Sequence, residues 1–350
     1  QRQMCIRDST RRLLFMTDFL KSIAKDIGGE YANLAADIDE TETFVDTGSY
    51  IFNALISGSI YGGISGNKIT AIAGESSTGK TFFSLAVVGN FLNDNPDAGV
   101  VYFDTESAIT KSLLDERNID TRRVLVVNVV TIEEFRQKAL KIVENHLKQP
   151  EADRKPLMFV LDSLGMLSTE KEINDALAEK NVRDMTKSQL VKGAFRMLTL
   201  KLGQAQIPMI VTNHTYDVIG AYVPTKEMGG GSGLKYSAST IIYLSKSKEK
   251  DGKEVIGNII KAKTAKSRLS KENKQVGIRL YYDERGLDRH YGLLELGEIG
   301  GMWKNVAGRY EIDGKKLYAK QILAEPEKYF TPEVLEQLDV IARSEFSYGA

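Results

Sequence analysis

The chain has 350 residues, with 47 Lys+Arg balanced by 47 Asp+Glu and 42% hydrophobic residues. That length holds one large domain or roughly two to three small ones, and the composition excludes disordered, collagen-like and disulfide-scaffold classes. The single cysteine, Cys5, cannot close an internal bridge, which points to a reducing compartment such as the cytoplasm. No apolar run reaches the ~18 residues of a membrane helix.

In chain order, residues 1–15 are expected to be a non-native extension ahead of Met16. Phe19, Leu20, Ile23 and Ile27 recur at helical spacing and predict one amphipathic helix, followed by an extended piece over 43–52. From Ile69, apolar runs at 69–73, 100–103, 124–130, 157–161, 207–212 and 241–244 read as buried strands. Helical stretches near 80–93, 132–147 and 185–202 separate several of them, which predicts an α/β fold with a mostly parallel central sheet and flanking helices. Shorter β-like runs follow at 255–263 and 276–282, with a helical end at 331–344. Two long polar connections, 163–185 and 215–233, read as functional loops.

The strongest local signal is Gly74, Glu75, Ser76, Ser77, Thr78, Gly79, Lys80, Thr81, with Phe82 completing the candidate nucleotide-binding set, between a predicted strand and the helix predicted near 80–93. This is the G-x-x-x-x-G-K-[ST] pattern in the context it requires. The glycines let backbone amides curl inward around phosphates at a helix N-terminus, Lys80 reaches the β/γ-phosphates, and Thr81 offers a hydroxyl to Mg²⁺. A second strand ends in Asp104 and Glu106, and a third ends in Asp162. Ligands of open α/β sheets gather at the carboxyl ends of strands. Asp162 therefore suits the metal side, and Glu106 suits the base that prepares a water, with Asp104 competing for that role. A fourth strand ends near Asn213 and His214, which then face the γ-phosphate region.

These residues together resemble the RecA superfamily, and within it the UvsX-type recombinases of tailed phages. The matching parts fall in order: GSIYGG (58–63), the phosphate loop, FDTESAIT (103–110), LDSLG (161–165), NHTYD (213–217), MGGGSG (228–233) and KSR (266–268). The resemblance implies a RecA-like ATPase core over 58–300, a helix-strand oligomerisation segment over 16–57 and a short C-terminal region over 301–350. It implies an ATP- and Mg²⁺-dependent recombinase that forms helical filaments on single-stranded DNA and pairs it with homologous duplex, aided by single-strand-binding and mediator proteins. Carried over, Glu106 is the catalytic glutamate, His214 the γ-phosphate sensor, and 163–185 and 215–233 the two DNA-binding loops. Lys266 and Arg268 match the pair that reaches the neighbouring subunit's nucleotide. Leu113 stands where many relatives place an aromatic against adenine, which loosens base selectivity. A RecA-core helicase and a mediator ATPase without strand exchange are the alternatives.

The residues themselves add contacts. Residues 246–274 hold ten Lys/Arg against four Asp/Glu, and the Lys266–Arg268 pair would act in trans as arginine fingers do. Lys192 and Arg196 share one face of the helix predicted at 185–202 and suit DNA phosphates. Gly229, Gly230 and Gly231 allow close backbone approach to phosphates, and Tyr216, Ile219 and Tyr222 offer side chains that wedge or stack between bases. Phe44, Val45, Tyr50 and Ile51 are expected to add to a neighbour's sheet edge and build an open head-to-tail filament.

Overall fold

A computed structural model describes residues 18–27, 43–180, 185–217, 226–229, 232–251, 253–282, 285–312 and 314–349. Residues 1–15 and the predicted DNA contacts Ile219, Tyr222, Gly230 and Gly231 lie outside the described residues. The chain divides into two compact units, residues 1–42 and 43–350. In the first, the expected helix is present as α1 (18–26), with Phe19, Ile23 and Ile27 exposed on it.

The second unit is built on one large sheet. Its parallel strands are β3 (Ile69–Gly74), β4 (Gly99–Asp104), β5 (Val124–Asn128), β6 (Leu157–Asp162), β7 (Met209–Asp217) and β9 (Thr240–Asp251). A short β8 (Lys226–Met228) pairs antiparallel with β7, and β10 (Glu254–Ser267) and β11 (Gln275–Tyr281) close the other side antiparallel. The sheet order is β11-β10-β9-β3-β7-β6-β4-β5. Every predicted strand run is therefore used, although the run at 124–130, expected to be buried, forms a partly exposed edge strand, and the three predicted helices appear as α3 (Lys80–Asp94), α5 (Ile132–Leu147) and α7 (Lys187–Gln204).

Strand alternation divides the core between the two faces. In β4, Val100 and Tyr102 pack with α3, whereas Val101 and Phe103 pack with Phe135 of α5 and Phe195 of α7. Buried parallel strands need apolar residues on both sides, which is why these runs read as continuous rather than alternating. Among the described residues, no helix is long and apolar enough to cross a membrane.

Three expectations are corrected. The piece read as extended over 43–52 is only briefly so, as β1 (Phe44–Val45) paired with β2 (Ile64–Ser65), before α2 (Tyr50–Ser57) begins. Its β-branched and aromatic residues mimic a strand, but Ile51, Phe52, Ala54, Leu55 and Ile56 are all buried, and a helix apolar nearly all round belongs in a core. Gly58 ends it in the left-handed region at φ 88°. Residues 43–57 thus belong with the core unit, and the boundary expected at 58 falls instead at 43.

The second correction concerns residues 301–350, which also join that core: Trp303, Phe330, Leu338 and Phe346 pack in the same cluster as α2. Asp339, on α12 (Pro332–Phe346), accepts from Ser59 Oγ at 2.6 Å and from the Ile60 amide at 2.9 Å. Third, the two long connections carry regular elements among their described residues. The segment 163–185 contains α6 (Glu170–Leu177), started by a Thr169–Glu172 capping box, and 215–233 opens as the β7–β8 pairing and ends in α8 (Ser232–Ser237).

Burial of α2 makes a first prediction. Phe52→Ala should cost ~3–5 kcal/mol of unfolding free energy, as large cavity-forming core substitutions do. Urea denaturation reads this directly. A loss below about 1 kcal/mol would match a surface substitution and take α2 out of the core.

Candidate nucleotide-binding site

The phosphate loop leaves β3 at Gly74 and enters α3 at Lys80. A Cβ on Gly74 would stand 2.7 Å from both the Leu244 carbonyl and Thr78 Oγ1, so only glycine fits. Gly79 turns the chain at φ 89°, and Ser77 is itself left-handed at φ 60°. Thr78 Oγ1 donates to the Glu75 carbonyl at 2.9 Å, tying the loop across its own mouth. Glu75, Ser76 and Ser77 are exposed; Glu75 pairs with Lys226, and the Ser77 carbonyl accepts from Lys246 Nζ at 2.8 Å.

Lys80 is buried, and its Nζ donates to the carbonyls of Gly74 (3.1 Å) and Glu75 (2.8 Å). Burial pushes its pKa below the usual lysine value, while Asp162 and Glu106 oppose that shift. An ammonium held by loop carbonyls is poised to exchange them for phosphate oxygens. Thr81 Oγ1 donates to Asp162 Oδ2 at 2.7 Å, joining the two residues assigned to Mg²⁺.

Asp162 is held by more hydroxyls than the motif reveals. Tyr102 OH also donates to Oδ2 at 2.7 Å, and Thr212 Oγ1 donates to Oδ1. Tyr102 has its pKa raised well above the usual phenol by burial and by Asp162, so it stays a neutral donor. These partners come from register: Asp104 lies opposite Asp162, and Leu161 opposite Val211, which brings Thr212 alongside. Neither Tyr102 nor Thr212 is flagged in the sequence, because each sits inside an apolar run.

Asp104 and Glu106 differ in their hydrogen bonding. Asp104 is buried, and its carboxylate accepts from the amides of Glu106 (3.0 Å), Ala108 (3.3 Å) and Ile109 (3.0 Å). It builds the turn after β4 and has little capacity left. Among the described residues Glu106 accepts from Ser163 Oγ at 2.8 Å, and its Oε1 lies 3.5 Å from His214 Nε2. It is the carboxylate available to a water.

His214 sits inside β7 rather than at its end, level with Gly74. The neighbouring Asn213 is fully buried, and its Nδ2 donates to the Gly229 carbonyl at 2.8 Å while the Gly229 amide donates to the His214 carbonyl at 3.0 Å. A Cβ at Gly165 would stand 3.0 Å from Asn213 Oδ1. The roots of both predicted DNA loops therefore meet at Asn213 and His214, a contact that the motifs containing Asn213 and Gly165 do not reveal by themselves.

The remaining predicted residues are more scattered. Lys192 and Arg196 are exposed on α7, whose opposite face buries Val191 and Phe195. Gly233 packs on the Lys192 backbone, where a Cβ would stand at 2.7 Å, so α8 rests directly on that part of α7. Tyr216 is 59% exposed. Lys266 is engaged within its own chain, donating to the carbonyls of Lys235, Tyr236 and Ala238 at 2.7–3.1 Å, whereas Arg268 is exposed. Burial and the nearby Arg268 push the pKa of Lys266 down. Leu113 is half-buried against the core.

The residues present fit a magnesium nucleotide. Among the described residues no group of three or more His, Cys, Asp or Glu could hold a metal by itself. Mg²⁺ commonly binds through one or two protein oxygens plus phosphates, which is what Thr81 and Asp162 offer.

The sheet order, the loop and the acids at the strand ends define a phosphate-loop protein with the RecA-like α/β core. The RecA N-terminal domain family matches residues 15–288, and the chain belongs to the RecA family. It is 35% identical over 261 residues to the recombination and repair protein of Enterobacteria phage T4, covering 74% of this chain and 65% of that protein. It is 26% identical over 258 residues to Protein RecA of Streptomyces rimosus, again covering 65% of the relative. Against Protein RecA of Thermus aquaticus, the match is 26% over 340 residues, 92% of this chain and 94% of that one. The chain thus spans just under two thirds of the first two relatives.

Proposed function

We propose that the protein is an ATP-dependent DNA recombinase of the phage type. It assembles on single-stranded DNA, hydrolyses ATP to ADP and phosphate, and promotes homologous pairing and strand exchange in recombination, repair and recombination-dependent replication in the host cytoplasm. The observation that carries this reading is the convergence at Asn213 and His214. There the nucleotide site and the roots of both predicted DNA loops share hydrogen bonds and packing.

In this reading, loop amides from Gly74 to Thr81 bind the phosphates, Phe82 flanks them in the first turn of α3, and Lys80 neutralises the β/γ oxygens. Thr81 and Asp162 would hold Mg²⁺, which would supply charge neutralisation at the phosphates. Glu106, steadied by Ser163, orients a water and takes its proton. His214 reads the γ-phosphate and passes its state to β8 and the loop between β7 and β8. Arg268 stabilises charge at a neighbour's phosphates; Lys266 joins it on leaving its carbonyls at the end of α8.

Single-stranded DNA is held by Lys192 and Arg196 through phosphates, by backbone at Gly229, Gly230 and Gly231, and by Tyr216, Ile219 and Tyr222 against bases. Such contacts are neutral to sequence. The filament needs a receiving edge, and β5 supplies one: it ends the sheet, with Leu125 59% and Val126 37% exposed. Phe44 and Val45 are already paired within the chain and Ile51 is buried, so these three are not free to add to a neighbour's sheet edge.

The test is homologous pairing of a circular single strand with a linear duplex. Joint molecules should form with ATP and be lost with Lys80→Ala. ATP hydrolysis on single-stranded DNA without joint molecules would favour a helicase or mediator instead.

A further inference from the structure

Tyr102 is a tyrosine where packing alone would be met by phenylalanine. Its ring is fully buried in the core cluster that includes α3, and its neighbour across the strands is Val160. Taking a hydroxyl into such surroundings is unfavourable unless it finds a partner. Among the described residues that partner is Asp162 Oδ2, at 2.7 Å. The hydroxyl is explained by the carboxylate, not by the core.

Strand alternation brings the donors together. Tyr102 on β4, Val160 and Asp162 on β6, and Ile210 and Thr212 on β7 share the sheet face that α3 covers. An ionised carboxylate has about four lone-pair positions, two on each oxygen. Oδ2 accepts from both Thr81 and Tyr102, whereas Oδ1 accepts from Thr212. Among the described residues, Oδ2 is therefore filled and Oδ1 keeps one open position. Thr81 can leave its proton on Oδ2 and still turn a lone pair of its own oxygen to a metal.

A carboxylate with one oxygen closed suits a small cation that keeps its water and takes few protein oxygens, as Mg²⁺ does. Ca²⁺ is larger, takes more oxygens, and often engages both oxygens of one carboxylate. We propose that Tyr102 is a positioning residue that makes this site select Mg²⁺ over Ca²⁺, by closing Oδ2 of Asp162 to the metal. The inference rests on the nucleotide-binding reading above and adds a specificity that the phosphate-loop motif does not encode.

The experiment measures equilibrium binding of a non-hydrolysable ATP analogue to the full chain, to Tyr102→Phe and to Thr212→Val. Each is titrated with Mg²⁺, with Ca²⁺ and with EDTA. The unaltered chain should bind the Mg²⁺ complex more tightly than the Ca²⁺ complex. In Tyr102→Phe that preference should shrink by about tenfold or more, because losing an outer hydrogen bond typically costs a metal site about 10–100-fold in affinity. Ca²⁺ is spared that loss, since it gains the second carboxylate oxygen. Binding in EDTA should not move, which separates metal selection from packing. Thr212→Val frees a position on Oδ1 but leaves Oδ2 closed, so it should keep the preference even where it weakens both complexes. Four results overturn the inference: equal binding of both complexes by the unaltered chain, a shift under about tenfold in Tyr102→Phe, an equal shift in Thr212→Val, or a matching loss in EDTA. The first of these needs no variant, so the test stands even if Tyr102→Phe fails to fold. If the unaltered chain binds the analogue with neither metal, the nucleotide-binding reading itself falls.

Discussion

Glu106→Gln should leave ATP binding near that of the unaltered protein while slowing hydrolysis on single-stranded DNA by ~10²–10⁴-fold, the usual cost of losing a general base. Glutamine keeps the shape and can still accept from Ser163, so the site should stay assembled while losing the ability to take a proton. The loop, Lys80 and the Thr81–Asp162 contact do not depend on Glu106. Nucleotide titration and phosphate release, measured side by side, separate the two quantities. Hydrolysis at a near-native rate would return the role to another group.

Asp104 provides the contrast. Its carboxylate serves three backbone amides from a buried position, so its replacement should show as lost stability of the turn that presents Glu106. The two acids lie two residues apart in sequence yet differ in kind, because the strand ends at Asp104 and the turn begins there.

Legibility in the sequence follows the same division between local and non-local signals. The phosphate loop is readable because strand, glycines, lysine and hydroxyl are consecutive, and the parallel sheet is readable because buried strands appear as apolar runs. Glu106 and Asp162 stand out as acids at the ends of such runs. The hydroxyls of Tyr102 and Thr212 do not, since only strand register brings them to Asp162. The helix α2 is misread because Tyr, Ile and Phe favour strands until tertiary burial decides otherwise. Lys266 is legible as a basic residue near Arg268, but its three carbonyl partners come from α8 and the turn after it, some thirty residues earlier in the chain.

His214→Ala should leave nucleotide binding largely intact while shrinking the factor by which ATP tightens binding to single-stranded DNA. The path is short. His214 lies 3.5 Å from Glu106 across the site, its carbonyl holds the Gly229 amide, and Asn213 holds the Gly229 carbonyl. A γ-phosphate that draws His214 toward it moves the strand to which both ends of the β7–β8 connection are tied. Gly165, just after β6, also lies close to Asn213, since a Cβ there would stand 3.0 Å from Asn213 Oδ1. In the proposed mechanism the ligand's differential contact is the hydrogen bond to His214, and without such a contact a ligand shifts no equilibrium. A coupling of ~1–3 kcal/mol, about 5–150-fold, is typical, and linkage requires DNA to tighten ATP binding by the same factor. The measurement is single-stranded DNA affinity with a non-hydrolysable ATP analogue and with ADP, at one salt concentration because phosphate contacts depend steeply on salt. In the unaltered protein the two ratios should agree; in His214→Ala both should fall toward one. Retention of the full ratio would make His214 a structural histidine and move the switch to another contact with the γ-phosphate.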